Sequence, residues 1–311
     1  MNDTVSPAAA VHSVDCFALT VPDLQEAADF YEAFGLVPDL RGDLLEVRCE
    51  GNPHVWIEIR EGKRKKLEKV CFLAFPADLD RISAQLREAG ALVEGASSND
   101  TIVGRTPDGL LVEVRAGAKI SPDEKAPFTQ APSYSATQAS APRSACTKVH
   151  PRRLAHLALF SGDVDKSIKF FNECLGVRLA DRSASDVAFM YGAHGSDHHM
   201  VAFARSDGPG LHHCSWEVTS VDEVGLGGEQ MMAAGYGRGW GVGRHVLGSN
   251  YFRYVRDPWG SHAEYSAGMD YIPAGFDWQA ADHPSEDSFY QWGPPPPEDF
   301  VTNYETTREP A

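Results

Sequence analysis

The chain has 311 residues, 42% of them hydrophobic and 23% charged, and its 28 Lys and Arg against 44 Asp and Glu leave a formal charge of −16. That balance excludes a phosphate-tracking surface, which concentrates Lys and Arg, and makes nucleic acid and anionic membrane poor partners. A length near 300 residues exceeds what one core of ordinary size fills, so two domains are expected.

The opening MNDTVSPAAAVHSVDCF lacks a basic segment followed by an apolar one, and no stretch approaches the roughly 18 consecutive apolar residues of a membrane span. A cytoplasmic protein is expected. From Val14, VDCFALTVPDLQEAADFYEAFGL reads as an alternating strand, a capped amphipathic helix and a Gly stop, with Asp23 and Glu26 spaced as a capping box. VCFLAFPADLDRISAQLREAGA, from Val70, repeats strand, Asp-initiated helix and Ala-Gly stop, and GRTPDGLLVEVRAG adds short strands around a turn. Residues 117–151 are rich in Ala, Ser, Pro, Thr and Gln without either periodicity, and read as a linker.

The pattern then returns, with LAHLALFSGDVDKSIKFFNECLGV from Leu154 matching the first unit and Asp163 placed to cap its helix. HCSWEVTSVDEVGLGGEQMMAAGY, from His213, matches the second unit, and YVRDPWGSHAEYSAG supplies closing strands. Past residue 270, prolines mix with Trp278, Phe289, Tyr290 and Trp292. Disordered segments are poor in aromatics, so a tail packed along the body is expected.

The repeats predict an α+β fold of four βαβββ modules, paired into two domains with curved mixed sheets. The expected boundaries are 1–116 and 152–269, with the linker at 117–151 and the tail at 270–311. Paired modules bury one face of each sheet around a concavity, which offers a site without specifying its chemistry. The six cysteines lack any C-x-x-C pair and read as reduced, buried apolar residues.

In the second half, His156 in LAHLALF, His213 in LHHCSWEV and Glu264 in SHAEYSAG occupy equivalent places near strand ends, where curved sheets converge. A single histidine beginning a strand is usually structural. Two imidazoles with one carboxylate, however, are the set that holds divalent iron on one face and leaves the other open.

These segments resemble the type I extradiol catechol dioxygenases, the metapyrocatechase and 2,3-dihydroxybiphenyl dioxygenase group of the vicinal oxygen chelate superfamily. The matching stretches are LAHLAL, DHHMVAF, GLHHCSWEV, GRHVLGSNYFRYVRDPWGSHAEY and the DY of MDY. The resemblance implies that His156, His213 and Glu264 hold Fe(II), with Mn(II) also accepted by the set. It selects His213 over His212 because His213 directly precedes its strand, as His156 precedes LAL. It makes His199, rather than His198, the acid–base residue, and places His245 and Tyr254 in hydrogen-bonding range of substrate and oxygen. It further implies a homo-oligomeric enzyme that takes a catecholic substrate and O2 and opens the ring beside the diol.

Lining up FAL at Phe17 with LAL at Leu157 places Cys16 where His156 stands, Lys69 (within one residue) opposite His213, and Glu113 opposite Glu264. Only the carboxylate is kept, so the first domain is expected to be a scaffold without a metal. Phe189, Met190, Trp216, Trp240 and the tail aromatics are candidates for an apolar pocket wall, and Arg182, Arg205 and Arg238 for pairing with a ring carboxylate. Two other readings stay open. A glyoxalase-like lyase or isomerase normally recruits a different ligand set, often with two glutamates, and leaves His199, His245 and Tyr254 unexplained. A metal-free sequestering protein of the bleomycin-resistance type has no use for the ligand triple.

Overall fold

Strand residues that alternate between buried and half-buried positions pair here into two mixed sheets, seen in a computed structural model that describes residues 9–98, 100–129 and 133–306. The first sheet is built from β1 (Val11–Val21), β2 (Val37–Arg41), β3 (Leu44–Arg48), β4 (Ile57–Glu61), β5 (Lys66–Ala74), β6 (Thr101–Arg105) and β7 (Leu111–Ala116), in the order β2-β3-β4-β1-β5-β7-β6. Helices α1 (Leu24–Ala33) and α2 (Pro76–Glu88) follow β1 and β5.

The second half opens with β8 (Arg153–Ser161), α3 (Val164–Leu175), β9 (Arg178–Ser183), β10 (Val187–Tyr191), β11 (Ser196–Asp197) and β12 (Val201–Arg205). It continues with β13 (Gly210–Glu217), α4 (Val221–Ala233), β14 (Gly239–His245), β15 (Tyr251–Arg256) and β16 (His262–Ala267). Three short tail strands follow, β17 (Tyr271–Ile272), β18 (Ala281–Asp282) and β19 (Tyr290–Trp292). The second sheet runs β18-β9-β10-β12-β8-β13-β16-β15-β14-β19.

Each sheet joins two modules through an antiparallel central pair, β1 with β5 and β8 with β13. Inside each module the first strand pairs in parallel with the last, β1 with β4, β5 with β7, β8 with β12 and β13 with β16. The second module is abbreviated, because its first strand after the helix shrinks to a single bridge between Leu92 and Gly104.

Asp23 and Asp163 cap α1 and α3 by accepting from backbone N–H groups of the first turn. The other two helices do not start at an aspartate. In α2 Pro76 takes the first position, where its missing N–H has no cost, and in α4 Ser220 caps by accepting from Glu223 N. Asp78 and Asp222 sit instead in the first turns, against the positive end of the helix dipole.

The linker runs along both domains: Ser13 Oγ accepts from the Ile120 and Ser121 N–H groups on the first, and on the second Thr129 is bridged to Ser220 and the Phe128 ring stacks on Tyr251 at 5.8 Å. Five cysteines are buried as expected, but Cys146 is exposed, because it falls in this apolar-poor segment outside either core. The tail is part of the second sheet: β18 pairs with β9 and β19 with β14, covering both edges. Farther on, the buried Glu305 carboxylate meets Lys65 Nζ at 2.8 Å and accepts from the Leu67 and Leu211 N–H groups at 2.7 and 2.9 Å. One carboxylate thus ties β5, β13 and the tail together. The domains also meet where Tyr265 stacks on Phe34 at 3.8 Å and donates its hydroxyl to the Phe34 carbonyl. Among the described residues, no helix is long and apolar enough to cross a membrane.

Candidate metal centre

Strands β8, β13 and β16 are neighbours, and their register sets His156 opposite Ser215 and Ser215 opposite Glu264. His213 lies two residues before Ser215, on the same face of β13. The small, fully buried Ser215 leaves room above the rung, and the larger side chains converge there. His156 Nε2 is 3.1 Å from His213 Nε2 and 3.3 Å from Glu264 Oε2, and the third separation is 3.7 Å.

These are the spacings of three donors bound to one first-row divalent ion at about 2.1 Å. Glu264 Oε2 is buried, faces the gap and has no hydrogen-bond partner among the described residues. Burial pushes the Glu264 carboxyl up, but the imidazoles of His156 and His245 outweigh it and hold the group well below the usual carboxylate range. Burial, with His212 next, pushes His213 well below the usual histidine range. A neutral imidazole at His213 and a carboxylate at Glu264 are protonation states that bind a metal. The residues present therefore fit a divalent cation, and among the described residues they are the group of three or more that could hold one.

Around the triad, Asn250 Nδ2 donates to Glu264 Oε1 at 3.2 Å and to Ser266 Oγ at 2.9 Å, fixing the carboxylate plane. His212 and His213 face each other through their Nδ1 atoms at 2.7 Å, which turns His213 Nε2 toward the gap. His245 Nδ1 donates to the Phe289 carbonyl at 2.7 Å, so its Nε2 is left for the Tyr254 hydroxyl at 2.9 Å. Burial and the Glu264 charge raise Tyr254 well above the usual phenol range, which keeps its proton on. The His199 ring lies 4.2 Å from that of His156, and burial together with the surrounding imidazoles keeps it neutral.

His156, His199, His213, His245, Tyr254 and Glu264 all line one cavity. Phe189, Phe289 and Phe300 form its apolar wall, with Val187, Leu247 and Val301. Met190, Trp216 and Trp240 do not line the cavity: Met190 and Trp216 belong to the main core, and Trp240 lies behind the wall, stacked on Phe289 at 4.8 Å and on Tyr254 at 5.5 Å while donating to the Pro294 carbonyl. None of the three arginines considered for a ring carboxylate lines it either: Arg182 pairs with Asp165, Arg205 with Asp186 and Arg238 with Asp299. Sequence reasoning missed Asn250 and Asp181, since a lone amide or carboxylate in a strand or loop carries no signal of its own.

In the first domain the same register sets Cys16 opposite Cys71 and Cys71 opposite Glu113, with Lys69 two residues earlier. Lys69 Nζ meets Glu113 Oε2 at 2.9 Å, and Arg115 Nε donates to the other oxygen.

Over 302 residues, 96% of this chain and 94% of the relative, the sequence is 47% identical to Metapyrocatechase 2 of Cupriavidus necator. The chain belongs to the metapyrocatechase family of extradiol ring-cleaving dioxygenases. Residues 153–265 of this family member match the Glyoxalase/Bleomycin resistance protein/Dioxygenase superfamily. The fold is shared with the Mn(II)-bound glyoxalase from Novosphingobium aromaticivorans, with a TM-score of 0.74 at 23% identity over 93% of this chain and 94% of that one. It is shared equally with an extradiol ring-cleaving dioxygenase from B. fuscum, with a TM-score of 0.75 at 18% identity over 97% and 85% of the two chains.

Proposed function

We propose that this protein is an Fe(II)-dependent extradiol dioxygenase that opens a catecholic ring beside its diol and incorporates both atoms of O2. The observation that carries the reading is the buried His156, His213 and Glu264 set in a family member, with Glu264 Oε2 lacking a hydrogen-bond partner among the described residues. Two neutral imidazoles and one carboxylate would leave a divalent iron with one net positive charge and an open face. When bound, that iron supplies the site where catechol and O2 meet and carries the electron transfer of ring opening; Mn(II) fits the same donors.

The chain's own residues supply shape and protons. His199, held neutral, has a nitrogen free to take a proton from a catechol hydroxyl and return it later in the reaction. Tyr254 and His245 set polar groups against the substrate oxygens in a cavity where burial strengthens such contacts. The wall of Phe189, Phe289 and Phe300, with no Lys or Arg among the described residues lining the cavity, favours catechols carrying hydrogen or an apolar group over carboxylated ones. The first domain serves as a scaffold without a metal.

The test is anaerobic reconstitution with Fe(II), then air and a panel of alkyl-, chloro- and carboxyl-substituted catechols, recording O2 uptake and visible absorbance. Stoichiometric uptake with a yellow ring-opened product is expected, fastest for the apolar substituents. Bound iron with no O2 uptake from any catechol contradicts the reading.

A further inference from the structure

The two histidine pairs of the site share one construction, in which the first ring turns its Nδ1 onto the Nδ1 of the second, at 3.1 Å for His198 and His199 and 2.7 Å for His212 and His213. Two such nitrogens share a single hydrogen, so one donates and the other accepts. For His198 and His199 the structure decides which. His198 Nε2 lies 2.9 Å from Asp181 Oδ2, and both residues are buried. Burial pushes the Asp181 carboxyl up, yet its hydrogen bonds from His198, His283 and the Ala281 N–H hold it below the usual carboxylate range. A carboxylate only accepts, so His198 Nε2 carries the hydrogen. A ring with its one hydrogen on Nε2 accepts at Nδ1, here from His199 Nδ1–H. That leaves the lone pair of His199 on Nε2, and His199, unlike His198, lines the cavity.

We propose that Asp181, acting through His198, holds His199 in its Nδ1–H tautomer and so presents Nε2 to the substrate as the base. The assignment rests on the acid–base reading of His199 given above; Asp181 and His198 are positioning residues. Asp181 is itself seated by the tail: His283 Nε2 and Ala281 N donate to Oδ1 at 2.8 and 3.1 Å, and Trp278 Nε1 reaches Oδ2 at 3.3 Å. A segment some 80 residues from the base in sequence therefore prepares it. When His199 Nε2 takes a catechol proton, both its nitrogens carry hydrogen, and the Asp181 charge stabilises the cation through His198. Return of that proton restores the starting tautomer.

Asp181→Asn keeps the shape but adds an amide donor, which lets His198 flip tautomer and pushes His199 into the Nε2–H form. The serine protease triad behaves this way when its aspartate becomes asparagine. With the iron enzyme, kcat should fall by about 10²-fold, near the lower end of what acid–base catalysis contributes, while KM and iron content stay unchanged. The direct readout is the proton–nitrogen correlation spectrum of histidine-labelled full-length protein loaded with Zn(II), a diamagnetic ion that His and carboxylate ligands accept. His199 should carry its hydrogen on Nδ1 in the wild type and shift toward Nε2–H in Asp181→Asn. An Nε2–H signal in the wild type overturns the proposal whatever the variants do, and so does an Asn variant with unchanged kcat and tautomer. If Asp181→Asn fails to fold, the wild-type spectrum still decides. Full turnover by His199→Ala beside a wild-type Nδ1–H signal would remove the acid–base reading and leave the tautomer assignment standing.

Discussion

Cys16, Cys71 and Glu113 form in the first sheet the rung that His156, Ser215 and Glu264 form in the second, and Lys69 precedes Cys71 as His213 precedes Ser215. Both rungs carry a carboxylate that needs a positive charge nearby. In the first domain the chain supplies it, with Lys69 and Arg115 on the two oxygens of Glu113. In the second, no Lys or Arg pairs with Glu264 among the described residues, and its Oε2 is buried with no hydrogen-bond partner among them. The same backbone thus closes one rung as an ion pair and leaves the other to be completed by a cation. A buried, unpaired carboxylate is costly, so the difference lies in what neutralises it rather than in the fold.

The sharpest way to break this comparison is to make one substitution at both places. Glu264→Gln and His213→Ala should abolish iron retention and turnover, as read by metal analysis and O2 uptake. Glu113→Gln should leave both unchanged and cost about 1 kcal/mol or less in urea unfolding, since its partners are partly exposed. His212→Ala should keep iron; if it loses iron while His213→Ala keeps it, the ligand within the pair is reversed. A step smaller, His199→Ala should lower kcat by about 10²- to 10⁴-fold with iron retained.

The tie between the domains comes next. Lys65 and Glu305 are both nearly inaccessible, so Glu305→Gln leaves a buried cation short of its partner and should cost about 3 kcal/mol in urea unfolding. KM should rise as well, because the same tail brings Phe300 to the cavity wall. Unchanged stability would mean that the tail does not clasp the two domains.

The last effect concerns acid. Burial pushes His12, on β1 of the first domain, down to about 4 from its ordinary 6.5, so between those values the unfolded chain binds the extra proton. The stability His12 contributes is therefore fully present above pH 6.5 and is lost as pH falls toward 4, by at most about 1.4 kcal/mol per pH unit. His12→Asn should flatten that slope relative to wild type in urea titrations at several pH values.

Much of this was legible in the sequence because it rests on period and repetition. The strand and helix patterns of Val14 and Leu154 gave the modules, and the rungs of the two sheets follow the alignment of FAL with LAL. Local starts were less legible: Pro76 and Ser220, not the aspartates, open α2 and α4, since several residue types can satisfy a helix terminus. The pocket wall was only half legible. An aromatic at a strand position is equally suited to core and cavity, and strand alternation turns Trp216 and Met190 into the core while Phe189 faces the site. Asp181 was invisible because its meaning lies in four partners, three of them tail residues about 100 positions away.

The measurement that reaches the central claim most directly is anomalous diffraction at the iron edge from crystals of the anaerobically reconstituted protein. One iron per chain should appear among His156, His213 and Glu264, with no peak beside Glu113. An iron at Glu113, or none at the His156 rung, would contradict the assignment of the two rungs.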